Sequence, residues 1–125
     1  MSEYLLIIPG ALPTLNQYIA AERSNRYKAA KMKRGAEEQI VIAARQPMRG
    51  VHIDNPVEMS YLWVCKDKRT DRDNIAFAKK FVQDALVQCG VLKDDGWKYV
   101  VGFSDRFEVD LDDPRIEVLI KEVDP

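Results

Sequence analysis

Apolar and polar positions alternate along this chain in a way that fixes most of its elements. Tyr4–Ile8 is a short apolar run stopped by Pro9-Gly10, the pattern of a buried strand. Residues 9–18 carry two prolines and a glycine and read as a loop. Ser24 or Asn25 can cap a long helix reaching about Ala44, basic in its first half and apolar at Ile40–Ala43, with Gly35 a weak point. After a loop over 46–56, Pro56–Cys65 predicts a strand with Val57, Met59, Tyr61, Trp63 and Cys65 on one face and Glu58 and Ser60 on the other.

A second helix is predicted over Asn74–Cys89. Ile75, Ala78, Val82, Ala85, Leu86 and Cys89 recur at helical spacing, and Gly90 stands where a left-handed C-terminal residue belongs. Strands are predicted at Trp97–Phe103 and Arg115–Val123, with a short one through Phe107, Val109 and Leu111 before an Asp112-Asp-Pro turn. The order β-α-β-α-β-β predicts one α+β domain over residues 1–125, a mixed sheet with two main helices.

Composition changes this picture little. Hydrophobic content of 46% and 31% charged residues are those of an ordinary globular chain. No run approaches the roughly 20 apolar residues of a membrane span, and the first residues lack the basic start of a secretory signal, so a cytoplasmic protein without membrane contact is expected. Cys65 and Cys89 each sit in an apolar pattern and read as free, buried thiols. Charge matters more through its distribution than through its net value of −1. Residues 23–34 hold six basic residues and no acid, 66–80 hold six basic against three acidic, and 104–125 hold eight acidic against three basic. Local basic stretches of this kind point to a polyanionic partner.

The candidate chemistry lies in residues 66–95. Asp71 and Asp73 open the second helix, Lys80 and Asp84 are i, i+4 neighbours on it, and Asp94 and Asp95 follow its end. Close carboxylates raise one another's pKa unless a cation shares their field, so a hard metal acting on a phosphodiester is the functional reading. Against it stands a structural one, in which Asp73 is a helix N-cap and Lys80–Asp84 a surface pair. On a regular helix Asp73, Lys80 and Asp84 fall within roughly 40° of one another. An EF-hand is excluded because Ala76 and Val82 stand where Gly and Glu are needed, no glycine-rich phosphate cradle is present, and His52 is solitary.

The set Asp71-x-Asp73-Asn74, Lys80-x-x-x-Asp84-Ala-Leu, Gly90 and Asp94-Asp95 resembles the RusA-type Holliday junction resolvases. The ending Gly90-Val-Leu-Lys-Asp-Asp-Gly-Trp resembles the branch found in Gram-positive bacteria and their phages, and the likeness covers most of the chain. It implies a homodimeric endodeoxyribonuclease that cuts opposed strands of four-way DNA with Mg²⁺, Mn²⁺ being the alternative ion. Asp71, Asp73 and Asp95 would be its metal-binding catalytic carboxylates and Lys80 its essential lysine, with Asp94, Asp84 and Asn74 in support. Lys66, Lys68, Arg69, Arg72, Lys79, Arg26, Lys31 and Lys33 are candidate DNA contacts. There are two departures: the interval between Asp73 and the lysine block is three residues longer than in the founding member, leaving Lys79 or Lys80 for the role, and Thr70 replaces an Arg before Asp71, so that Arg69 or Arg72 could substitute.

A helix over 74–89 would be about 24 Å long, and residues 90–94 span at most roughly 20 Å. Asp95 would therefore reach Asp73 of a partner more readily than its own, unless the helix starts a turn late. The competing class is a non-catalytic junction-binding module, which would bind DNA without metal and never cut; a third is a Mg²⁺-dependent phosphatase or small-substrate hydrolase, which has no need of so many distributed cations. Tyr18, Tyr27 and Trp97 could stack on exposed bases, although packing in the core is the favoured reading of Trp97.

Overall fold

Alternation along four strands builds the fold. In the computed structural model, which describes residues 2–125, the elements are β1 (Glu3–Pro9), α1 (Leu15–Ser24), α2 (Arg26–Ala44), β2 (Val57–Cys65), α3 (Arg72–Ala76), α4 (Lys79–Gln88), β3 (Val100–Val109) and β4 (Arg115–Glu122). The sheet order is β1-β4-β2-β3, with β2 parallel to β3 and β4 antiparallel to both β1 and β2. This is the expected α+β architecture on a mixed sheet.

Strand register lines up inward residues in rows. Ile8, Ile116, Trp63 and Phe107 form one row, Leu6, Val118, Tyr61 and Asp105 the next, and Tyr4, Ile120, Met59 and Phe103 a third. The inward residues of β1, β4 and β2 pack with Ile40 of α2 and Phe81, Val82, Ala85 and Leu86 of α4 into one core. Each large side chain fully buried there is worth about 1.5–3 kcal/mol. β1 is inward on alternate residues only: Leu6 and Ile8 are buried, while Leu5 and Ile7 lie on the sheet face away from this core.

Several local expectations change. The loop expected through Tyr18 gives way at Thr14 to α1, because the Thr14 hydroxyl accepts from the Gln17 N–H (3.2 Å) and the Gln17 side chain accepts from the Thr14 N–H (2.9 Å), a complete capping box. Asn25 caps α2 as expected, its side chain accepting from the Lys28 N–H at 2.9 Å. The helix expected over 74–89 is two segments joined by a tightened turn at Phe77–Ala78, where Lys80 and Phe81 donate to the carbonyls three residues back, those of Phe77 and Ala78. The two strands expected in 97–111 are one continuous β3, and Trp97 lies ahead of it in a turn, 99% exposed instead of in the core. Cys65 is half-buried and Cys89 exposed, both free, because Cys89 falls at the C-cap of α4 beyond its buried stripe.

Gly90 terminates α4 with φ +83°, and the His52 Nδ1–H donates to its carbonyl at 2.8 Å. Gly35 lies inside α2 with open space where a Cβ would go. The two glycines predict opposite signs. Gly90→Ala should destabilise by about 1 kcal/mol or more and Gly35→Ala should stabilise by about 0.5–1 kcal/mol, both read from denaturant midpoints at constant slope.

Candidate active site

The loop after β2 delivers Asp71 and Asp73 to the outer end of the sheet. Asp71 holds the N-cap position of α3 through its backbone carbonyl, which accepts from the Ile75 N–H at 3.1 Å, while its side chain makes no capping bond. The Asp73 carboxylate accepts only from the adjacent Asn74 N–H, at 2.9 Å. The capping reading of Asp73 therefore fails, and both exposed carboxylates keep oxygens free for another partner. Asn74 is structural: its Oδ1 accepts from the Asn16 N–H at 2.8 Å and ties α3 to α1.

Asp73 lines a recess with Arg72, Phe77, Lys79, Asp105 and Phe107. Asp105 is a residue the sequence reading passed over. It occupies the outer position of an otherwise apolar row, where an acid needs partners. It has two: the Trp63 indole Nε1–H donates to Oδ1 at 2.9 Å and the Lys79 ammonium to Oδ2 at 2.7 Å. The Lys79 Nζ also stands 4.4 Å from the centre of the Phe103 ring. The signal in the sequence was an acid at an inward position of a strand, hidden because Ser104-Asp-Arg read as a break. Asp71 lines the neighbouring recess with Lys68, Thr70, Arg72, Phe107 and Val109.

On the other flank of α4 a second cluster forms. The Lys80 ammonium lies 3.1 Å from Asp84 and 3.8 Å from Asp95, and Lys33 of α2 reaches Asp84 at 3.6 Å and Glu37 at 3.8 Å. The hydrogen bond it donates to the Asp84 carboxylate holds the Lys80 ammonium above the ordinary lysine range. Burial, followed by the bond shared with the Asp84 carboxyl, pushes the Asp95 carboxyl above the ordinary carboxylate range, against the pull of Lys80.

The wheel that set Asp73 with Lys80 and Asp84 is thus corrected. The tightened turn shifts the phase, so Asp73 shares its recess with Lys79 while Lys80 and Asp84 face the α2 side. Asp95 folds back along α4 as far as Lys80, about 14 Å from the helix end and within the roughly 20 Å reach of residues 90–94. Among the described residues no three His, Cys, Asp or Glu side chains gather as a metal-holding group, so Asp71, Asp73 and Asp95 do not meet within one chain. Asp94 uses Oδ1 to accept from the Asp95 N–H at 2.8 Å. Arg26, Lys31, Lys66, Lys68, Arg69 and Arg72 are exposed, with Arg69 3.8 Å from Asp67 and Arg72 5.8 Å from the centre of the Phe107 ring. Tyr18 packs against Phe77 and Phe81, which removes it from the stacking candidates; Tyr27 is exposed beneath Arg26.

The sign of the Asp95 shift gives a stability test. An acid whose pKa is raised by folding costs stability when it ionises, a loss that sets in as pH rises through the window just above about 4. Asp95→Asn should therefore raise the metal-free melting temperature at pH 7 by roughly 1–3 °C, and the difference should close below about pH 4, as followed by thermal melting of both proteins across pH.

No curated protein matches the chain. The family model of endodeoxyribonuclease RusA does, over residues 9–121, from the end of β1 through most of β4. That span takes in both acid clusters, the two adjacent lysines and the strand on which Asp105 is held, so the chain belongs to the RusA endodeoxyribonuclease family, DNA hydrolases that resolve Holliday junctions.

Proposed function

We propose that this protein is a Mg²⁺-dependent resolvase acting as a homodimer, with each site made of residues from two chains. The carrying observation is that one chain holds its acids as two separate half-sites, Asp71 and Asp73 beside Lys79 and Asp95 beside Lys80. β3 supports the way they combine. It is an outer strand of the sheet, ten residues long, with Phe103 and Val109 exposed. Antiparallel pairing with the β3 of a second copy would set the end of one strand beside the start of the other. Asp71 lies at the Phe107–Val109 end, and Asp95 precedes the Val100 start by five residues. Two-fold pairing of these edges brings the Asp71–Asp73 half-site of each chain toward Asp95 of its partner.

The donor set fits a hard divalent cation. The Asp71 side chain has no capping duty, and Asp95 stands against Asp84 with its carboxyl pushed up despite the nearby Lys80. Asp71, Asp73 and Asp95 would hold Mg²⁺, or Mn²⁺ in its place, and the ion supplies Lewis acidity at the phosphodiester and charge for the departing oxygen. Lys79, fixed by Asp105, and Lys80, fixed by Asp84, oppose negative charge on the phosphate from either side of α4. The exposed Lys66, Lys68, Arg69 and Arg72 flank Asp71, and Lys33 joins the basic helix bearing Arg26 and Lys31 to the second cluster. These cations hold backbone phosphates and orient the junction.

Cleavage of a labelled synthetic four-way junction, compared with linear duplex, tests the activity. Paired symmetric nicks in Mg²⁺ should disappear with EDTA and fall by at least about 10²-fold in Asp73→Asn. Tight binding without cuts in Mg²⁺ or Mn²⁺ would make the protein a junction-binding module instead. The composite site has its own test, the mixing of Asp73→Asn with Asp95→Asn subunits. Each mixed dimer should recover one intact site and nick one strand, about a quarter of native sites overall after random exchange. Complete inactivity of mixed dimers, once their formation is shown, would assign both residues to one chain.

A further inference from the structure

A large aromatic side chain left entirely in water is an uncommon sight, because it forgoes the burial that makes tryptophan useful in a fold. Trp97 is 99% exposed, while the protein's other tryptophan, Trp63, is 2% exposed. Its exposure is not that of a loose loop. The Tyr99 and Val100 N–H groups both donate to the Gly96 carbonyl at 3.0 Å, and the Tyr99 carbonyl accepts from the Val57 N–H at 2.7 Å, fastening the turn to β2. On the other side Asp95 is tethered to Lys80. An ordered turn thus holds an indole in solvent two residues from Asp95, flanked by Lys98 and, before the acids, Lys93.

We infer that Trp97 is a base-stacking platform through which the protein recognises the branch point of its DNA. The inference rests on the resolvase reading, which brings DNA to Asp95. An indole offers a flat π-face to any base, and neighbouring lysines draw the phosphate backbone to it. In linear duplex every base pair already has stacking neighbours on both sides. At an opened four-way junction the pairs at the crossover lose one of them, and the indole can replace it. Stacking there favours branched over linear DNA without reading sequence.

Trp63 is buried but bonded to Asp105, so the part of the DNA-induced change in tryptophan emission that Trp97→Phe abolishes is the part that reports Trp97. Titration of native protein with a synthetic four-way junction in EDTA should quench that emission, whereas linear duplex bound at higher protein concentration should leave it nearly unchanged. Trp97→Ala should weaken junction binding roughly ten- to a hundred-fold and leave duplex binding within about twofold of native, while Trp97→Phe should retain most of the junction affinity. An unchanged melting temperature for both variants would show that folding is intact. Junction binding with unquenched emission, equal quenching by duplex, or equal affinity of Trp97→Ala for the junction would each overturn the inference alone. A blue shift that grows with protein concentration in the absence of DNA would give the indole to a protein interface and overturn it as well. Failure of native protein to bind any junction would remove the resolvase reading together with it.

Discussion

Carboxylates cannot be crowded in one small chain without a cation among them, and this constraint governs how residues 66–105 fold. The acids are divided between two flanks of α4, each with its own lysine. Lys79 and Lys80 are adjacent, so their side chains leave the helix about 100° apart. One turns toward β3 and Asp105, the other toward α2, Asp84 and Asp95. A single helix start thereby serves both acid clusters. The tightened turn at Phe77–Ala78 sets this division, since an unbroken helix would put Asp73 on the Lys80 face.

Asp105 carries a second burden. β3 is an outer strand with aromatic residues in alternate inward positions, the kind of edge that pairs indiscriminately. An inward-pointing charge in the middle of such a strand blunts it. Asp105 is tolerated there because Trp63 and Lys79 satisfy both oxygens. The same pair that limits nonspecific pairing thus fixes a lysine beside Asp73.

Much of this was legible in the sequence. The inward residues of β2 and β4, the cap at Asn25, the left-handed Gly90 and the mixed sheet followed from periodicity and turn chemistry. The α1 helix was legible too, in Thr14-x-x-Gln17, but the prolines before it dominated the reading. Other features depend on partners distant in sequence. Asp105 breaks the strand pattern locally and is restored by residues 42 and 26 positions away. Trp97 has an apolar composition but no surface to cover it, and coverage is a property of the folded sheet. The meeting of Lys80 with Asp95 depends on how the chain after Gly90 doubles back, which no local rule dictates.

Charge counting shows the same distinction between composition and structure. The chain's net charge is −1 and its last segment is strongly acidic, which argues against a nucleic-acid partner. In the fold, however, Arg115 stands within 3.7 Å of Asp110, 3.3 Å of Asp113 and 2.8 Å of Glu117, and Asp105 is neutralised by Lys79. Acids paired in this way contribute little field at a distance. The basic residues of α2 and of the loop before Asp71 mostly face solvent, with Lys33 the main one engaged by acids. What a polyanion meets is therefore more positive than the sum of residues implies, because this fold pairs the acids of its last segment with Arg115 and Lys79 and leaves most of its cations in solvent.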